Sequence, residues 1–83
     1  MQELGLQTNN VINRLNRMSA ELDGAPVPQQ DLERVARTLG PIGLGISKTQ
    51  LYGSLNSLEM FGMIQRRSWP QGAYLPLAQE VNQ

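Results

Sequence analysis

The sequence contains neither cysteine nor histidine among its 83 residues. Without cysteine the chain forms no disulfide and no thiolate metal site. Without histidine it lacks the commonest general base and the commonest metal ligand. No pair of carboxylates stands out at a spacing that suggests acid–base catalysis. We therefore expect a protein that is not an enzyme and that uses no metal and no cofactor.

Long apolar runs are missing as well. No segment approaches the roughly 20 apolar residues of a membrane-spanning helix, and the first ten residues, MQELGLQTNN, lack the basic and then apolar character of a secretion signal. We expect a cytoplasmic protein without membrane contact. With 40% hydrophobic and 17% charged residues, the composition is typical of a folded domain. Residues 1–83 are predicted to form one domain, with a core over about 9–78.

Lysine is scarce, since Lys48 is the only one, and the formal net charge is zero. The charges are nevertheless unevenly distributed. Residues 1–33 carry two arginines and five acids, whereas residues 34–79 carry one lysine, four arginines and one acid. The second part, with a net charge of +4, could dock onto phosphates. The alternative interpretation is an ordinary surface of mixed charge.

The first predicted element is a helix over about 9–22. Apolar residues recur from Val11 to Leu22 at the spacing of one helix face. Thr8 or Asn9 could cap its start, because both residue types favour that position.

A second helix is predicted over about 29–39, with Leu39 as the last residue of its apolar stripe. The two prolines around Val27 favour an extended connector before it, in which a short strand with Val27 pointing inward is possible. The glycine-rich segment 40–45 then forms a turn, and we expect the apolar Ile42 within it to enter the core.

The third helix, about 47–61, is the best-specified element. Ser47 and Gln50 have the S-x-x-Q spacing of a capping box. The buried stripe is predicted to be Leu51, Leu55 and Leu58. The opposite face is predicted to be Lys48, Thr49, Gly53, Ser54, Asn56 and Ser57. All of these are small or able to hydrogen-bond, whereas an ordinary surface helix would carry Glu–Lys pairs there.

Residues 63–77 are predicted to form a β-hairpin. A Trp-Pro-Gln-Gly turn separates two short runs, and the first run contains Arg66 and Arg67. Side chains alternate between the two faces of the second strand, and Ala73, Leu75 and Leu77 are predicted to point inward. Pro76 lacks a donor and therefore predicts that this strand lies at a sheet edge.

At this point the chain resembles the winged helix-turn-helix transcription regulators, most closely the MarR-like and PadR-like groups. The residues that carry the resemblance start at Ser47 and follow the pattern S-x3-L-x3-L-x2-LE-x2-G-M-I-x-R through Arg66. The resemblance implies an α+β, mainly α fold of three helices followed by a two-stranded β-hairpin, the wing. It also implies a small DNA-binding regulator, and a homodimer is expected because one small module rarely binds tightly enough alone. The dimer interface could lie on helix one, on the N-terminal residues or on the wing edge.

In this interpretation helix 47–61 enters the major groove of double-stranded DNA, and the wing, 63–77, lies over the backbone or the minor groove. The expected DNA-binding residues are Ser47, Lys48, Thr49, Gln50, Tyr52, Ser54, Asn56, Arg66, Arg67 and Gln71. Three roles stay open. Gln50 could cap the helix or contact a base, Tyr52 could pack or contact a phosphate, and only one of the two arginines is expected to face DNA.

A second hypothesis is a protein-interaction adaptor that does not bind DNA. Trp69 at the hairpin tip and an exposed Tyr74 would then form the contact with a partner protein. The neutral net charge and the single lysine favour this alternative. Packing of Trp69 against the core is the competing role for that side chain.

Overall fold

The computed structural model describes residues 5–68 and 72–77, and in it three helices stand beside one three-stranded antiparallel sheet. In chain order the elements are α1 (Leu6–Glu21), β1 (Val27–Pro28), α2 (Gln29–Arg37), α3 (Lys48–Met60), β2 (Ile64–Arg67) and β3 (Ala73–Pro76). The expected α+β, mainly helical class is confirmed. The strand count differs from the expected two, because β1 joins the hairpin. No helix in this part of the chain has the length and apolar character needed to cross a membrane.

The strand β3 lies in the centre of the sheet, whose order is β1-β3-β2. The prediction that Pro76 marks an edge strand is therefore wrong. Pro76 pairs with Ile64, and the next residue, Leu77, donates its N–H to Met63 O at 2.9 Å. Because hydrogen bonds of an antiparallel strand alternate between its two sides, the donor missing at Pro76 would point away from β2. On that side the two-residue β1 has already ended, so no ladder bond is lost.

The short strand β1 is possible despite its proline. Val27 pairs with Tyr74, Pro28 with Ala73, and Gln29 N donates to Gly72 O at 2.8 Å. Pro28 thus stands between two hydrogen-bonding positions, where its missing N–H has no consequence. The expected inward orientation of Val27 is confirmed, since this side chain is fully buried.

The helix α1 begins at Leu6, three residues before the predicted start. Its N-cap is Gly5, without a side-chain cap, so the predicted cap at Thr8 or Asn9 is wrong. The Thr8 hydroxyl instead points toward α3, where it donates to Ser54 Oγ at 3.4 Å. Thr8 therefore forms a hydrogen bond to another helix and does not cap α1.

The helix α2 ends at Arg37, and the segment after it folds back over the helix end. Leu44 N donates to Val35 O at 2.9 Å, and Ile46 N donates to Ala36 O at 2.7 Å. These bonds satisfy carbonyls that a helix C-terminus otherwise leaves without partners. They also place Leu44 and Ile46 against the core.

Two apolar residues of this segment are left outside the core. Leu39 is 78% exposed and Ile42 is 72% exposed, so their predicted burial is wrong. The fold-back requires a close approach at Gly43, where a Cβ atom would stand 2.0 Å from Thr38 O. Only glycine fits there without a backbone shift.

The core lies where α1, α2 and α3 meet the sheet. The predicted stripe of α3 is confirmed, since all three leucines are buried. The core cluster consists of Val11, Ile12, Leu15, Val27, Leu32, Ala36, Leu51, Leu55, Leu58, Ile64 and Tyr74. α3 therefore buries one face and presents the opposite face to solvent.

Candidate nucleic-acid interface

The first turn of α3 is fixed by the predicted capping box. Gln50 N donates to Ser47 Oγ at 3.0 Å, and Ser47 N donates to Gln50 Oε1 at 2.8 Å. The capping role of Gln50 is therefore confirmed, although its side-chain NH₂ still has a donor to offer. Lys48 and Thr49 follow the cap and are exposed. Their side chains extend from a rigid helix start.

An exposed stripe continues along α3 at helical spacing. After Thr49 come Gly53 and Asn56, one turn apart each, and then Met60 at the helix end. A Cβ atom at Gly53 would meet nothing within 4 Å, so this part of the helix is open to close approach. Over its first three turns the stripe carries no acid and no bulky side chain.

The predicted exposure of Ser54 is wrong, because this residue is only 3% exposed. Its hydroxyl receives hydrogen bonds from Gln7 Nε2 at 3.1 Å and from Thr8 Oγ1 at 3.4 Å. Gln7 Nε2 also lies 3.4 Å from Gln50 O. Ser54 therefore connects α1 to α3 and is not part of the exposed face.

Tyr52 is half-buried between α3 and α2, as the packing alternative proposed. Its hydroxyl donates a hydrogen bond to Glu33 Oε2. Burial is the first cause that raises the pKa of Tyr52 above its ordinary value, followed by the hydrogen bond and the negative charge of Glu33. The phenol is therefore held neutral and fixed, and it orients α3 relative to α2.

The two arginines of β2 lie on opposite faces of the strand, as alternation predicts. Arg66 is paired with Tyr74 in the register and lies beside its hydroxyl. Arg67 lies on the other face, where its Nε donates to Gln65 Oε1 at 2.9 Å. Both arginines are exposed.

A cleft of about 330 Å³ lies between the hairpin and the start of α2. Its lining residues are Gln29, Arg66, Arg67, Ser68 and Gly72. Gln29 and Ser68 are absent from the residues predicted for the site. Ser68 could have been found from its place beside two arginines. Gln29 could not, because its position depends on the pairing of β1 with β3.

The predicted exposure of Tyr74 is wrong, because this residue is only 4% exposed and belongs to the core. Burial raises the pKa of Tyr74, and the neighbouring Arg66 guanidinium opposes that shift. An adaptor surface that uses Tyr74 therefore has no support. Trp69 and Gln71 lie outside the residues that the structure describes.

The described segments contain no group of three or more metal-ligating acids. Comparisons with protein-family models, curated proteins and solved structures found no match to this chain. The chemistry of the surface itself is therefore the basis for any functional conclusion.

Proposed function

We propose that the chain is a winged helix-turn-helix protein that binds double-stranded DNA in a sequence-specific way, as a small transcription regulator. The observation that carries this proposal is the exposed stripe of α3, formed by Thr49, Gly53 and Asn56, which has no bulky and no acidic side chain over its first three turns and follows the exposed Lys48. Such a helix face fits a major groove about 12 Å wide.

The side chains of this stripe suit contacts with base edges. Lys48 can donate to guanine or to a phosphate, and Asn56 can read adenine with its amide. Thr49 adds a hydroxyl, and Gly53 allows close approach. Gln50 accepts the capping hydrogen bond through Oε1, and its side-chain NH₂ can still donate to DNA. Buried Ser54 is not among the proposed contacts.

The hairpin β2–β3 has the role of a wing over the DNA backbone. Arg67 is the stronger candidate for a phosphate contact, because it lies on the face of β2 away from the core and contacts only Gln65 among the described hydrogen bonds. Arg66 lies beside Tyr74 and has a second, structural role. Phosphate contacts of this kind position a protein on the duplex without reading sequence.

The test is the affinity for duplex DNA of two variants, Lys48→Ala and Arg67→Ala, measured by fluorescence anisotropy at several salt concentrations. Each variant should bind at least a few-fold more weakly than the wild type. A lost phosphate contact should also reduce the slope of log affinity against log salt by about 1, because fewer counterions are released. Thermal stability should stay unchanged, since both side chains are exposed.

Arg37→Ala is the matched control. Arg37 is an exposed arginine in the last turn of α2, so its removal changes the net charge equally without touching α3 or the hairpin. If all three variants bind like the wild type, or if binding does not respond to salt, the proposed DNA interface is wrong.

A further inference from the structure

The end of α1 and the turn after it carry basic residues on one side of Ser19 and acidic residues on the other. Two arginines, Arg14 and Arg17, precede Ser19, and two acids, Glu21 and Asp23, follow it. The spacing from Ser19 to Arg17 equals the spacing from Ser19 to Glu21. If two such helices lie antiparallel about this centre, Arg17 of each helix therefore faces Glu21 of the other, and Arg14 lies near the turn that contains Asp23.

These charges border a cleft of about 360 Å³ between α1 and the segment after α2. The lining residues are Arg14, Arg17, Met18, Glu21, Val35, Pro41 and Ile42. Ile42 is exposed although it is a large apolar side chain, and Leu22 is also exposed one turn beyond Met18. The cleft thus combines apolar walls with charges of both signs.

The charges are not paired with one another within the described monomer. The ion pair found there joins Arg34 to Asp31 on α2. Arg14 donates to Ile42 O at 2.7 Å, which holds the segment in place, whereas Arg17 and Glu21 are exposed. An arginine that precedes its glutamate by four residues is also the less favourable order within one helix.

We propose that this cleft binds a second copy of the chain, with the two α1 helices antiparallel about a two-fold axis that crosses their exposed faces at the level of residue 19. Arg17 of each copy then faces Glu21 of the other, and Arg14 faces the segment that contains Asp23. Ile42 and Leu22 supply apolar contacts beside these ion pairs. The two-fold axis repeats each contact, as in an isologous interface.

The charges that border this cleft favour a second copy of the chain over other binding partners. A purely acidic partner would meet repulsion from Glu21 at one end. The edge strand β2 is a poor alternative interface for two copies, because antiparallel pairing would bring Arg66 and Arg67 close to the same arginines of the other copy.

The α1 cleft also leaves the exposed stripe of α3 uncovered, because α1 packs on the side of α3 that carries buried Ser54. The dimer is thus independent of the proposed DNA binding.

Sedimentation equilibrium without DNA, over a wide range of protein concentration at low salt, tests the proposal. The wild type should form a reversible dimer. Arg17→Glu and Glu21→Arg should each raise the dimer dissociation constant by roughly tenfold or more, because each converts two attractive contacts into repulsive ones. The double variant Arg17→Glu/Glu21→Arg should restore the dimer.

Arg37→Glu is the control, since it reverses an equal charge on another helix and should leave the dimer intact. Thermal unfolding of every variant checks that the fold is kept, as exposure of these side chains predicts. A wild type that stays monomeric at the highest concentration overturns the proposal and leaves the cleft to another partner. Single variants that dimerise normally, or a double variant that stays dissociated, also overturn it.

Discussion

Tyr52 and Glu33 form the polar contact by which α2 orients α3. The phenol is half-buried, and its hydroxyl donates to the Glu33 carboxylate. Tyr74 lies close enough to add to the raised pKa of Tyr52. The exposed stripe of α3 starts one turn from this contact, so the position of the stripe depends on it.

Replacing Tyr52 by Phe should lower the free energy of unfolding by about 1 kcal/mol at neutral pH, because a hydrogen bond to a charged acceptor is lost. The pH dependence has a definite sign. Because the folded pKa lies above the ordinary value of 10.0, the folded state holds the proton more strongly than the unfolded state. The contribution of Tyr52 to stability is therefore fully present below pH 10.0. It is lost as the pH rises from there through the raised pKa of the folded state.

Urea unfolding of the wild type and the Tyr52→Phe variant, at neutral pH and at several pH values above 10.0, measures both effects. The variant should lose less stability than the wild type in the alkaline range, since one phenol no longer titrates. Identical alkaline slopes for the two proteins would contradict the raised pKa of Tyr52.

Single residues differ in how far the sequence predicts their surroundings. The capping box at Ser47 and Gln50 was predictable because both partners lie within one turn. The burial of Ser54 was not, because its hydrogen-bond donor Gln7 lies 47 residues away in the chain. The burial of Tyr74 likewise depends on pairing with β1, which no local pattern near Tyr74 indicates.

At the scale of elements, α3 followed its local signals closely. Its predicted span of about 47–61 includes the cap and agrees with the observed Lys48–Met60. The segment between α2 and α3 did not follow its local signals, because its second half returns to α2 and supplies hydrogen-bond donors to the helix end. Leu39 and Ile42 are exposed for this tertiary reason, although their apolar character predicts burial.

Two glycine substitutions test the described backbone of α3 and of the segment between α2 and α3. Gly53→Ala should raise the free energy of unfolding by about 0.5–1 kcal/mol, because alanine favours a helix interior and the added Cβ meets open space. Gly43→Ala should lower it by about 1–3 kcal/mol, because the added Cβ collides with the Thr38 backbone.

Chemical denaturation of both glycine variants provides the comparison, with the wild type as reference. The opposite signs are the critical result, since both changes add the same methyl group. If Gly43→Ala were as stable as the wild type, the described fold-back of the segment onto Thr38 would be wrong.

At the scale of the whole molecule, the two proposed surfaces lie on different sides of the core. The stripe of α3 and the hairpin arginines would contact DNA, whereas the cleft beside α1 would contact a second copy. If both proposals hold, such a division would let a dimer of this small domain combine two half-sites, which would raise both affinity and specificity. The zero net charge conceals this arrangement, because the acids are concentrated in residues 1–33.

The most direct test of the DNA-binding proposal is a ¹⁵N NMR titration of the whole chain with random duplex DNA, at low salt and again at high salt. We predict shifts at Lys48, Thr49 and Asn56 and along β2, which disappear at high salt because the contacts are electrostatic. Shifts confined to other surfaces, or no shifts at low salt, would contradict DNA binding through α3 and the hairpin.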